Sequence, residues 1–247
     1  MYTVVDHRHR RGFTMVELVI IIVVIGILAT IAGRKMSKSI DTARVEQTKK
    51  ELDQLARAMV GNPQININGT RVDYGYVGDI GAFPPNLTAL AHNPGGYLTW
   101  DGPYIETGSA GNEYLFDAWG AGYIYLDTLL RSTGSGTDID KLLAGTSAEL
   151  FDNVIMGVVL DAGGDMPGPV YRDSMTVLMV VPDGFGGYTS ITTNPGPDGS
   201  FACFHIPIGL HRLFLIYAPE TDTVTYQVSV DPGSTVKLSL NYPTDLW

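Results

Sequence analysis

Between Phe13 and Gly33 the chain holds one ionisable side chain, Glu17, ahead of an uninterrupted apolar run from Leu18 to Gly33. A carboxylate at mid-bilayer depth costs about 2.5–3.5 kcal/mol, and less near one end, where it reaches the interface. An acid kept there needs a partner, and the chemistry open to it is neutralisation of a cation in apolar surroundings. Immediately upstream stand Arg8, Arg10, Arg11 and the Gly12–Phe13 bond. A second suggestive pair is Cys203 and His205. Two apart on a strand, they would share a face, as a Cys–His nucleophile requires. A lone cysteine in a strand is more simply a packing residue, and one cysteine allows no intrachain disulfide. Zinc-ligand spacing is absent, and Gly184-Phe185-Gly186-Gly187 reads as a turn, with no following helix to make a phosphate loop.

Glu17 sits in a segment that must be a helix. A hydrocarbon core about 30 Å thick needs roughly 20 helical residues, and Phe13 to Ala32 supplies them. A secretory signal peptide, a plain signal anchor and a processed leader compete for this segment. Glu17 fits badly in the first and is unexplained in the second. Basic residues flank the span on both sides, with Arg34, Lys35 and Lys38 after it, so loop charge does not orient it. Beyond it Leu52, Leu55, Ala56 and Met59 keep an amphipathic helical spacing that Gly61-Asn62-Pro63 ends. Phe13 to Val60 would extend roughly 70 Å.

The net charge of −10 is uneven, with basic residues concentrated before Arg71 and acids after it. Such a body repels nucleic acid, while the N-terminal basic patches suit anionic membrane lipid. With 45% hydrophobic and 17% charged residues the chain can bury a core. Residues 64 to 146 are rich in Gly, Pro, Asn and aromatics. From Phe151 onward alternating strands separated by turn clusters read as a small β-sandwich, with strands at 154–160, 175–181, 188–192, 201–205, 212–217, 223–230 and 235–240.

Gly12-Phe13-Thr14-Met15-Val16-Glu17, followed by the apolar helix, resembles the class III leader of type IV pilins and type II secretion pseudopilins. The resemblance implies that prepilin peptidase cuts between Gly12 and Phe13 and methylates the new Phe13 amine. It also implies that Glu17 is the assembly acid, pairing with a neighbouring subunit's N-terminus. Gly26 and Ala29 match small positions of the family, whereas Arg34 stands where many members have a proline that loosens the helix.

Three later phrases are similar to the major pseudopilin head: Phe83 to Leu90, Trp100-Asp101-Gly102-Pro103-Tyr104-Ile105, and Phe116 to Tyr125, where Ala118 replaces the family's proline. Asp117 is expected to close an Asx turn around a buried Trp119. By the same resemblance a calcium ion is expected on Ser132, Asp138 and Asp140, whose oxygens suit a hard cation. The phrases Val158 to Asp165, Gly196 to Phe201 and Ile206 to Leu213 resemble the transthyretin-like, carboxypeptidase-regulatory sandwich, with His211 in place of a tyrosine and Cys203 at an inward position.

The expected fold is α+β: a leader (1–12), a long pilin helix (13–60), a small α+β pseudopilin head (61–148) and an all-β sandwich (149–247). The expected function is non-enzymatic, a structural subunit of a pseudopilus-like filament. Its partners would be prepilin peptidase, other copies of itself, other pilin-like subunits, the inner-membrane assembly platform and lipid, without nucleic acid. It would start as a single-pass, N-in protein of the bacterial inner membrane and end in a periplasmic or extracellular filament. The alternative is a minor subunit whose sandwich is an adhesive or substrate-binding module, with Tyr188, Tyr226, Tyr242 and Trp247 available to a sugar.

Overall fold

A computed structural model describes residues 14–108, 111–220 and 222–247, so Gly12 and Phe13 lie outside the described residues. Helix α1 runs from Met15 to Val60. Contacts divide the chain into two units, one ending at Glu46 and one from Gln47 to Trp247. In the first, every described side chain from Thr14 to Arg44 is exposed. A helix apolar on all sides over Leu18–Ala32 is built for lipid or for neighbouring helices. It passes through Gly33 and Arg34 without a break, as expected where the kinking proline is missing.

In the second unit the end of α1 becomes a core element. Leu52, Leu55, Ala56 and Met59 are buried against Tyr76, Ile80, Leu87, Leu90 and Leu130. The helix stops because Gly61 takes φ +78°, where a Cβ would run into the Asp73 carbonyl. There follow a small hairpin, β1 (Asn66–Ile67) and β2 (Thr70–Arg71), a short helix α2 (Gly75–Ile80), and an antiparallel sheet of β3 (Ile124–Leu126), β4 (Leu129–Ser132) and β5 (Ile139–Leu142). Helix α3 (Ser147–Phe151) then leads into the sandwich, its first turn capped by the Thr146 hydroxyl.

The sandwich strands are β6 (Asn153–Leu160), β7 (Met175–Pro182), β8 (Tyr188–Thr193), β9 (Ser200–Ile206), β10 (Gly209–Tyr217), β11 (Asp222–Val230) and β12 (Thr235–Asn241), with a single-turn helix α4 (Gly168–Tyr171) between β6 and β7. They form one sheet in the order β11-β10-β7-β8 and another in the order β12-β6-β9, where β12 and β6 are parallel. Alternate residues point inward, so Val177, Met179, Leu213 and Leu215 meet Ile155, Val159, Phe201 and Leu240 in one apolar core.

Four loops share one device. Asn93, Asp117, Asp161 and Asp183 each turn a side-chain oxygen onto the backbone N–H groups two and four residues later, at 2.7–3.3 Å. Each fixes a glycine-containing loop without a strand ladder. Asp161 also accepts from Leu246 and Trp247 N–H, which fastens the C-terminal residues to the β6 end.

The head-side elements and the sandwich share a joint. Tyr74 and Val77 pack with Leu150 and Ile208. Beside them the Arg71 guanidinium donates to the Val60 and Asp73 carbonyls, pairs with Asp231 at 3.2 Å, and lies 4.3 Å from the Tyr74 ring centre. Tyr74 Oη also lies 2.5 Å from Ser229 Oγ on β11. One buried cation thus ties the α1 end, the hairpin, α2 and β11. Replacing Arg71 with Leu should leave two carbonyls and Asp231 without their donor and cost about 3 kcal/mol. Arg71→Lys should recover only part of that, since a point charge cannot serve all three. Denaturant unfolding of the detergent-solubilised protein measures both.

Asp79 on α2 accepts the Tyr104 hydroxyl at 2.7 Å. Burial pushes its carboxyl up from 3.8 to about 6, against the opposing bond from Tyr104, with Asp101 and Asp73 adding repulsion. A raised acid favours the folded state most when protonated, and that contribution fades as pH rises from near 4 through about 6. Asp79→Asn should therefore raise Tm above pH 6, and the difference from the parent should shrink to nothing below about pH 4.

Candidate functional site: the helix start and the loops of the second unit

At the start of α1, Thr14 and Glu17 hold one another. The Glu17 N–H donates to Thr14 Oγ1 at 3.2 Å, and the Thr14 N–H reaches Glu17 Oε2 at 3.5 Å. This is a capping box, Thr-x-x-Glu ahead of an apolar run, and its sequence signature lay in plain view at Thr14-Met15-Val16-Glu17. The carboxylate sits at the positive end of the helix and satisfies a donor the helix cannot satisfy itself. Glu17 thus has a local reason to be there, besides any role between subunits.

The three oxygens expected to hold calcium do not converge. Ser132 is buried and donates to Asp117 Oδ2 at 2.6 Å. Asp138 and Asp140 instead clasp Arg131, with Nη1–Oδ2 at 2.6 Å and a two-pronged contact to Asp140 at 2.7 and 2.8 Å. The bond from Arg131 holds the Asp140 carboxyl below its ordinary value. A cation placed between the two acids would have to displace the guanidinium. Among the described residues no group of three or more His, Cys, Asp or Glu side chains is arranged to hold a metal.

Asp117 is the residue around which this region turns. It accepts from Trp119 and Ala121 N–H at 2.9 Å, from Ser132, and from Gly134 N–H at 3.1 Å. Burial pushes its carboxyl up, but the bonds from Ser132, Ala121, Trp119 and Gly134 outweigh that and hold it below the ordinary value. The expected Asx turn is present with its burial inverted. Asp117 is buried, whereas Trp119 is only half-buried.

Cys203 and His205 do not share a face. Between Asn153/Ile206 and Ile155/Cys203 the β6–β9 register slips by one residue, and His205 adopts φ +57°. This bulge breaks the alternation: Cys203 stays in the core, while Phe204 and His205 both turn outward. His205 pairs with Asp152 at 2.8 Å, and burial pushes the Cys203 thiol up, away from the thiolate a nucleophile needs. His211 is buried, its Nε2 2.8 Å from the Pro207 carbonyl, and burial lowers its pKa from the ordinary value against the opposing effect of that bond. It pins the bend before β10, the place where the resemblance has tyrosine. Of the four aromatics considered for sugar, Tyr242 is buried, Tyr226 is bonded to the Asn241 carbonyl, Trp247 stacks on Tyr171, and Tyr188 alone is exposed.

Comparison with known proteins bears on the helix start first. The family model described as the prokaryotic N-terminal methylation motif matches residues 7–33. Type II secretion system core protein G of Xanthomonas campestris pv. campestris is 28% identical over 134 residues, which is 54% of this chain and 77% of that protein. The dioxygenase domain of a dioxygenase and carbohydrate-binding fusion from Streptomyces sp. SirexAA-E is 16% identical over 40% of this chain and 85% of its own, at a TM-score of 0.28. The major pilin subunit of Bacillus cereus is 14% identical over 47% of this chain and 37% of its own, at a TM-score of 0.27. Overlaps that slight carry no argument about fold or function. The methylation motif and the core protein G likeness, on a chain that begins its described structure with a capped apolar helix, support a type IV pilin-like, pseudopilin-type family and a pilin-like structural subunit.

Proposed function

We propose that this chain is the structural subunit of a pseudopilus-like filament of a type II secretion-like system. Prepilin peptidase cuts the Gly12–Phe13 bond from the cytoplasmic side and methylates the Phe13 amine. The freed chain waits in the inner membrane as a single N-in helix until the assembly platform moves it into a filament beside other copies and related subunits.

The observation that carries this reading is the Thr14–Glu17 box at the start of a helix whose apolar side chains are exposed on every side. Away from water the new Phe13 ammonium and the positive helix end both need a counter-charge. A neighbour's Glu17 supplies one, because its contact with Thr14 N–H is long and leaves acceptor capacity on the carboxylate. An unpaired buried charge is costly, so one axial register of neighbouring helices is favoured.

Mass spectrometry of the mature protein tests the processing step. The expected terminus is N-methylated Phe13, and an intact Met1 or a cut near Ala32 would sink the proposal. The capping and pairing roles of Glu17 separate by substitution. Glu17→Gln retains a capping acceptor but no charge, and Glu17→Ala loses both. If pairing sets register, both should be processed normally yet give about tenfold less sheared filament or lower. Wild-type filament yield from Glu17→Gln would leave only the capping role.

A further inference from the structure

Leu98 and Phe185 are the most exposed large apolar side chains of the unit 47–247, at 90% and 82%. They stand together, since the Leu98 and Thr99 N–H groups both donate to the Gly186 carbonyl, at 2.8 and 3.2 Å. The Tyr97 ring lies over Gly186, which has φ +86° and no room for a Cβ. Each loop is also fixed internally, one by Asn93 and the other by Asp183. The result is a stiff two-loop tip carrying two apolar knobs beside the exposed Asp183 carboxylate. Little conformational freedom remains to be lost there on binding, and apolar surface remains to be buried.

The outer face of the β12-β6-β9 sheet carries the complement. Register sets Lys237, Met156 and Ala202 in one row across it and Ser239, Val158 and Ser200 in the next outward row. Because β9 offers only Ser200 and Ala202 there, a groove of about 540 Å³ opens, lined among others by Met156, Val158, Ala202, Lys237 and Leu238. Lys237 is exposed and makes no ion pair among the described residues, in a chain of net charge −10. Tyr188 follows the tip at one end of β8, while Thr193 at the other end lines the groove. Those ends are roughly 17 Å apart at about 3.3 Å per residue.

We propose that the tip of one copy seats in the groove of a second copy, with Leu98 and Phe185 on the apolar floor and Asp183 facing Lys237. The two surfaces differ and do not overlap on one molecule, so the contact is head-to-tail and continues from copy to copy. An apolar knob beside an acid fits an apolar recess with an unpaired cation, and the same acid opposes docking on anionic lipid. Two side chains bury far less than the ~800 Å² per partner of a free-standing interface. The contact therefore operates where copies are already crowded. It rests on the reading of the chain as an assembling subunit.

Thiol cross-linking of the full-length protein in membranes tests it. Tyr188→Cys beside the tip and Ser239→Cys beside the groove are placed together in one chain, with the buried Cys203 left unchanged, and joined by a short bismaleimide. The double variant should give a ladder of multimers, and each single variant no more than background. Adding Leu98→Ser with Phe185→Ser, or Lys237→Glu, should cut the ladder at least fivefold, while Phe185→Leu and Lys237→Arg keep it. Sheared filament is scored on the same cells. Filaments without a ladder, a ladder indifferent to the serine substitutions, or dimers from Tyr188→Cys alone overturn the contact, the last pointing to tips gathered on lipid or on each other. A ladder without filaments upholds the contact and overturns the filament reading, and absence of both overturns both.

Discussion

The second unit depends on the burial of one helical stripe. Thr48, Leu52, Leu55, Ala56 and Met59 point to one side of α1, and without them Tyr76, Ile80, Leu90 and Leu130 would have no common surface to cover. Each fully buried large apolar side chain contributes about 1.5–3 kcal/mol, so this stripe outweighs any single polar contact in the unit. The same helix has no such stripe upstream: from Leu18 to Ala32 its residues are apolar on every side, and from Arg34 to Glu46 they are mostly polar. One continuous helix thus changes from a side chain pattern that needs outside partners, through a polar exposed stretch, to one that supplies its own core from Thr48 onward.

Polar groups do the remaining positioning where no ladder runs. The Asn93, Asp117, Asp161 and Asp183 oxygens hold loops whose backbone donors would otherwise lack partners. Arg71 does the same for the carbonyl of Val60 at the helix end, and its contact with Asp231 makes that local repair a link to the sandwich. Local satisfaction and long-range assembly are here the same contacts, which is why the unit from Gln47 to Trp247 holds together although its sheets are separate.

This division explains what could be read from the chain beforehand. Alternation is a strong signal when one sheet face is buried, and all seven sandwich strands fall where the alternation put them. The α1 end at Gly61 was equally plain, because a residue with φ +78° has few alternatives to glycine. What escaped was anything set by one residue of register or by a distant partner. A single extra residue in β9 sends His205 outward, and composition gives no sign of that slip. Arg131, which takes the two acids proposed for calcium, lies on the neighbouring strand and enters only when β4 pairs with β5. Trp119 was expected to be buried because it is large, yet Asp117 is buried instead because four donors surround it.

Glu17 differs from these misses, since its local partner Thr14 was visible three residues upstream. A capping box accounts for an acid at a helix start by itself, at a value of about 1 kcal/mol. That is smaller than the cost of ~2.5–3.5 kcal/mol for placing the same acid at mid-membrane depth. The cap is therefore too weak to justify the acid wherever the helix start is drawn away from water. On the proposed filament reading a neighbouring subunit's counter-charge closes that gap, while the cap fixes where the carboxylate is held.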